Sequence, residues 1–309
     1  MKSIIIAVSV GILVFLMGTQ AQTQADRPTG TVTVDGFKIN YYVEGTGIPC
    51  LVIIDPLAMR RALSNELRKH LRLIFMDSRA SAPHEGPIDA RKIQLGTLLG
   101  DIELVRKAVG IEKLCVFGQS IQGLTALEYA RKYPEHVTHV IMNGTPPFRD
   151  ARAEKASDEY WESRASEERK KVLRWNWEKR RDEIAKLPPD QAMLQTYITN
   201  GPMYWYDPTY DCSWLFAGEN WNADVAKQFF NVIYANYDIT TRGPIQVPIF
   251  LSLGRYDYAV PYTLWNGIKE SFPTLSWHVF EKSGHWSFLE EQELFDRRLL
   301  DWIDGQHAK

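Results

Sequence analysis

The sequence predicts an α/β fold: a mostly parallel central sheet with helices on both faces, interrupted by an inserted, mainly helical segment. Three observations lead there. A continuous apolar run of strand length at 49–54 is followed by similar, predominantly apolar runs at 71–76, 114–117, 137–142, 247–253 and 276–280, as expected for strands buried on both faces of a parallel sheet. Helical patterns fall between them at 62–70, 95–109 and 124–133, and another closes the chain at 292–303. Such alternation implies right-handed crossovers and a sheet covered on both sides. The alternation fails between 146 and 243, where charged helical stretches (154–186) give way to an aromatic run (197–216).

Each element has its own local signal. From 31 to 43 polar and apolar residues alternate about Asp35-Gly36, the pattern of a β-hairpin. The parallel strands and their helices follow up to residue 142. The insertion then holds six of the ten tryptophans, namely Trp161, Trp175, Trp177, Trp205, Trp214 and Trp221. Pro188, Pro189, Pro202 and Pro208 divide it into several short helices. The expected organisation is a core of 26–145 and 244–309, a helical cap at 146–243, and a leading segment of 1–25. No internal repeat or low-complexity stretch is present.

The leading segment has Lys2, an uninterrupted apolar or small stretch at 4–17, and an exit containing Ala21 and Ala25. This is the anatomy of a secretory signal peptide, and the apolar stretch is shorter than the ~20 residues that span a bilayer. Cleavage after Ala21 or Ala25 predicts an exported chain, periplasmic or secreted, with no membrane association once the signal is removed. Cys50, Cys115 and Cys212 make an odd count without metal-ligand spacing, so neither a disulfide framework nor a metal site is indicated. Cys50 and Cys115 fall in predicted buried strands, where cysteine acts as a small hydrophobe; a bridge between neighbouring strands would have awkward geometry. With 36 basic and 38 acidic residues the formal charge is -2, which gives no electrostatic footprint for nucleic acid. The expected partner is a small-molecule substrate, and nothing in the sequence specifies an oligomeric state.

The chemistry centres on Gly118-Gln119-Ser120-Ile121-Gln122-Gly123, between the strand 114–117 and a helix. A serine on a strand-to-helix elbow is strained, exposes its hydroxyl, and needs small neighbours. Gln122 stands where the usual pattern has glycine. In isolation the same residues fit a helix-capping serine in a nucleotide-binding turn. The remainder of the chain favours the nucleophile, because an acid and then a histidine follow in the required order. Asp257 lies in the loop after 247–253, and His285 after 276–280. All three therefore belong at the carboxyl ends of parallel strands, where ligands gather. An unassisted hydroxyl is a weak nucleophile; imidazole takes its proton, and a buried carboxylate orients the imidazole and stabilises its charged form.

On these residues the chain resembles the α/β-hydrolase superfamily from 30 to 303, in particular its capped serine-hydrolase branch of proline iminopeptidases and related esterases and lactonases. Asp77-Ser78-Arg79 is similar to the family's Asp-x-Arg-Gly loop, and Asp101 precedes the nucleophile strand. The resemblance implies a Ser/His/acid mechanism without metal or organic cofactor, and an insertion that serves as a lid. It also implies an oxyanion hole, expected from the backbone N–H groups of Leu57 and Ile121. Two loops depart from the family: Asp55-Pro56-Leu57 replaces His-Gly, and Arg79-Ala80-Ser81-Ala82 replaces Arg-Gly-x-Gly. A charged Asp55 aimed at the reacting carbonyl would oppose a developing oxyanion, so it is expected to point away, braced by a cation such as Arg79.

The leading expectation is hydrolysis of a small ester, lactone or amide through an acyl-enzyme on Ser120, with lid aromatics such as Trp205, Trp214 and Trp221 as candidate pocket lining. An aminopeptidase is the alternative, in which Glu159, Glu162 or Glu219 would hold a substrate ammonium. A non-catalytic ligand binder on the same fold is the reading of a different class.

Overall fold

The computed structural model describes residues 27–53 and 56–307. The signal segment and Asp55 lie outside the described residues. The chain opens with β1 (Gly30–Val34), β2 (Phe37–Glu44), β3 (Ile48–Ile53), α1 (Pro56–Ala62), α2 (Leu67–His70) and β4 (Leu71–Met76). It continues with α3 (Leu95–Ala108), β5 (Leu114–Gln119), α4 (Ile121–Lys132) and β6 (Val137–Asn143). The long segment before the next sheet strand carries β7 (Phe148–Arg149), α5 (Ala151–Arg164), α6 (Glu167–Ile184), α7 (Pro189–Thr199), α8 (Ala223–Gln228) and β8 (Tyr237–Asp238). The chain then completes the sheet with β9 (Ile249–Gly254) and β10 (Leu275–Phe280), followed by α9 (Ser287–Glu290) and α10 (Gln292–His307).

Eight strands form one sheet in the order β1-β2-β4-β3-β5-β6-β9-β10. Strands β4, β3, β5, β6, β9 and β10 run parallel to one another, while β1 and β2 form an antiparallel hairpin that adds to β4. Asp35 and Gly36 make its tight turn with φ of 50° and 83°, the left-handed pair that matches strand twist. From β3 the chain steps first to β4 on one side and then to β5 on the other. The order therefore reverses between β3 and β5, and a cleft opens at their carboxyl ends.

Successive strand residues serve opposite faces, as the pleat requires. Leu51, Ile53, Ile74, Met76 and Val116 pack with α3 and α4. Cys50, Val52, Leu73, Phe75 and Phe117 pack with α1 and α10. Cys50 and Cys115 are register partners across β3 and β5 and remain free thiols, Sγ to Sγ 3.2 Å.

One helix differs from expectation. The pattern at 62–70 becomes two pieces, because the Ser64 hydroxyl accepts the Leu67 N–H (3.0 Å) and starts α2 afresh. The helix before it begins at Pro56, a residue suited to the first helical position. Near the cleft, Arg79 donates from Nε and Nη2 to Asp101 (2.7 and 2.9 Å) and from Nη2 to Asp35 (2.9 Å). Its guanidinium thus ties the loop after β4 to α3 and the hairpin.

Candidate active site

Ser120 sits between β5 and α4 with φ 56° and ψ −130°, a conformation costly for any residue with a side chain. The elbow closes because its neighbours lack one. A Cβ on Gly118 would lie 2.1 Å from the Gln122 carbonyl oxygen, and one on Gly123 would lie 1.9 Å from Thr145 Oγ1. The small-residue requirement thus falls on 123, and position 122 is free to carry glutamine. Gln122 is buried and its Oε1 accepts a hydrogen bond from Thr125 Oγ1 (2.7 Å). The Ser120 N–H donates to Asn143 O (2.7 Å), which locks the turn to β6.

His285 reaches the same edge from the loop after β10, and Asp257 from the loop after β9. The His285 Nδ1–Asp257 Oδ2 distance is 2.5 Å. The other Asp257 oxygen accepts the Ala259 and Val260 N–H groups (3.1 and 2.8 Å). Both side chains are buried. A carboxylate held this way fixes which histidine nitrogen carries the proton and leaves Nε2 as the basic one. The His285 backbone is fastened too: its N–H donates to Tyr204 O (2.6 Å), and its carbonyl accepts Asn143 Nδ2 (2.7 Å). No Ser120–His285 hydrogen bond is formed in this structure; such bonds commonly tighten only when substrate binds.

Two cavities meet at these residues, of about 260 Å³ and about 380 Å³. Ser120, Ile121, His285, Tyr197, Tyr204 and Phe230 line both. The smaller is walled by aromatic side chains, with Phe216, Trp221, Phe229 and Trp286 closing it. Tyr197 and Tyr204 stack at 4.5 Å, and the Tyr197 hydroxyl accepts the Trp286 Nε1–H (2.8 Å). Burial pushes the Tyr204 phenol up to about 12, so it stays neutral through the physiological range.

Of the three tryptophans expected in the pocket, only Trp221 lines it. Trp205 is fully buried against Trp286, and Trp214 is exposed. Glu159 and Glu162 are exposed on the outside of α5, Glu162 paired with Lys170. Glu219 lies elsewhere: its carboxylate accepts the Ala58 N–H (2.8 Å), one residue from Leu57. The Glu219 carboxylate thus sits beside the backbone from which the Leu57 donor is expected. Burial raises the Glu219 carboxyl to about 7. Ile121 opens α4, where the first N–H groups have no partner inside the helix and carry its positive end.

Sequence reasoning missed Tyr204 and Glu290. Glu290 accepts the Tyr206 N–H (2.6 Å) and the Gly284 N–H (2.7 Å), and so bridges the insertion to the histidine loop. Burial pushes its carboxyl up to about 8. Among the described residues no group of three or more His, Cys, Asp or Glu side chains is placed to hold a metal ion, and no helix is long and apolar enough to cross a membrane.

Comparison with known proteins agrees with this architecture. A family profile described as alpha/beta hydrolase fold matches residues 57–184. The AB hydrolase superfamily protein YclE of Bacillus subtilis (strain 168) is 31% identical over 272 residues, covering 87% of this chain and 96% of that protein. Among solved structures, an alpha/beta fold family hydrolase from Bacillus anthracis str. Sterne superposes with a TM-score of 0.65 at 19% identity, over 88% of this chain and 98% of that one. The proline iminopeptidase of Mycobacterium smegmatis superposes at 0.64 and 17% identity, over 90% and 99%. At such identities the two superpositions speak for the fold alone.

Proposed function

Because the chain belongs to the α/β-hydrolase superfamily and is a hydrolase, we propose that it cleaves a small ester, lactone or amide through an acyl-enzyme on Ser120. The observation that carries this is His285, held by the buried Asp257 at 2.5 Å and lining the same cavities as the strained Ser120. Ser120 Oγ attacks the carbonyl carbon while His285 Nε2 takes the hydroxyl proton. Asp257 stabilises the imidazolium, which then protonates the departing alcohol or amine. Water, activated by the same nitrogen, releases the acid and restores Ser120. The Ile121 N–H, at the N-terminus of α4, serves the developing oxyanion, joined by the Leu57 N–H, beside which Glu219 sits.

The residues 146–243 act as the cap in this reading, and their aromatic side chains select an apolar portion of the substrate. The aminopeptidase alternative draws little support from Glu159 and Glu162, which are exposed and line neither cavity. Export to the periplasm or medium remains part of the proposal and rests on residues 1–25 alone.

The test is a fluorophosphonate probe on the purified chain, followed by a panel of acyl esters, lactones and aminoacyl anilides. Covalent labelling confined to Ser120 is expected, with turnover of an ester or lactone. Absence of labelling, with the chain folded, would favour the ligand-binding alternative; turnover of anilides alone would favour the aminopeptidase.

A further inference from the structure

The larger cavity contains a cation without a counterion. Arg149, in β7, lines it together with Ser120 and His285. Its guanidinium lies over the Phe230 ring at 5.1 Å, is half-buried, and makes no hydrogen bond or ion pair among the described residues. The next arginine along the chain is satisfied: Arg152 is bound by Asp150 and Asp238. Two carboxylates share the cavity wall with Arg149. Asp150 is committed to Arg152 and to the Arg152 N–H at the start of α5. Glu154 is exposed and near enough for its charge to act on Arg149, yet forms no ion pair with it. The remaining wall is mostly apolar, with Phe148, Val260 and Leu264, and its Ser157 hydroxyl is committed to Tyr258 O (2.6 Å).

Withdrawing a guanidinium from water costs free energy that an aromatic face offsets only partly. An anion entering the cavity would complete the arrangement, and a planar fork of N–H donors suits a carboxylate. We propose that this cavity receives the portion of the substrate bearing a carboxylate, held by Arg149, so that the natural substrate is a small acidic ester, lactone or amide. The proposal rests on the acyl-enzyme reading above.

Two matched pairs test it in the mature chain. Mono-4-nitrophenyl glutarate against 4-nitrophenyl pentanoate places the acid on the acyl side; 4-acetoxybenzoate against its methyl ester places it on the leaving side. In one pair the charged member should be preferred, and Arg149→Gln should lower the charged-to-neutral ratio of kcat/KM by roughly 10- to 100-fold, the range for loss of charge-assisted hydrogen bonds. Arg149→Lys should fall between. Glutarate should also slow fluorophosphonate labelling of Ser120 in the wild type and lose that effect in Arg149→Gln, while glutaramide should protect neither.

Neutral members preferred in both pairs, equal losses for both members, or no protection by glutarate would each overturn the proposal. So would a preference for aminoacyl substrates that Glu154→Gln abolishes, since the chamber would then serve a cation. A folded chain in which Ser120 is never labelled, or in which Ser120→Ala retains full turnover, overturns the acyl-enzyme reading instead.

Discussion

Replacing Gly144 by alanine tests the histidine assignment from a residue that has no chemistry of its own. Gly144 follows β6 with φ 57°, and a Cβ there would stand 2.8 Å from His285 Nδ1 and 2.9 Å from Cε1. The left-handed backbone costs an alanine about 1–2 kcal/mol, and forcing a methyl into a packed site adds about 1–3 kcal/mol. The imidazole cannot retreat freely, because Asp257 holds Nδ1 at 2.5 Å and Tyr204 O holds the backbone N–H at 2.6 Å. It must tilt, and a displacement approaching 1 Å in a catalytic group costs on the order of 100-fold in rate. Gly110→Ala supplies the control: φ is 68° there, and an added Cβ meets nothing within 4 Å. It should lower Tm by about 2–4 °C per kcal/mol of backbone strain and leave turnover alone. Gly144→Ala should lower Tm further and reduce kcat/KM about 100-fold on whichever ester is turned over. If the two variants match in both thermal melting and turnover, the imidazole is not where the reasoning puts it, or is not the base.

Ser120→Ala and His285→Ala should each reduce kcat by several orders of magnitude without altering Tm greatly, and the double variant should be hardly slower, because the members act as one unit; full additivity in steady-state kinetics would refute this. Glu219 should give a pH-dependent inhibition. Its carboxyl is held up to about 7, so it is neutral below that pH and charged beside the Leu57 and Ala58 N–H groups above it. The kcat ratio of Glu219→Gln to wild type should therefore rise through neutral pH by roughly tenfold, or about 1.4 kcal/mol in barrier, whereas a flat ratio would remove Leu57 from the oxyanion site. N-terminal sequencing of exported protein should return Gln22 or Asp26, and recovery of Met1 would refute cleavage.

Most of the parallel strands were legible because both their faces are buried, which writes a predominantly apolar run into the chain; β10, at the sheet edge, is half-buried and carries Ser276 and His278 within its run. The candidate site was legible because Ser120, Asp257 and His285 each follow a strand, and topology carries all three to one edge. What escaped notice depends on tertiary facing. The insertion is a set of short helices and turns whose aromatic residues are dense in every direction, so the sequence could not say that Trp221 lines the pocket while Trp205 is buried against Trp286. Tyr204 acts through its carbonyl, which no side-chain motif reports. Glu290 resembles any other residue of a charged stretch until Tyr206 and Gly284 are brought to it. At 62–70 the apolar spacing predicts one helix, and Ser64 breaks it by accepting the Leu67 N–H.

The fastening of His285 to Tyr204 bears on how this architecture can be altered. The Gly284 and Tyr204 backbones are in such close contact that a Cβ on Gly284 would lie 2.1 Å from Tyr204 O. Arg169 of α6 grips the same stretch by donating to Pro202 O and Trp205 O, both at 2.7 Å. The stretch 201–206 thus holds the His285 loop in place as well as contributing Tyr204 to the pocket wall. A chimera that exchanges all of 146–243 for the corresponding part of another hydrolase would discard the support of its own histidine. One that exchanges only the α5–α7 surfaces, keeping Arg169 and 201–206, would preserve it. Re-engineering of this chain should accordingly treat residues 146–243 as two parts, one replaceable and one that holds the His285 loop in place.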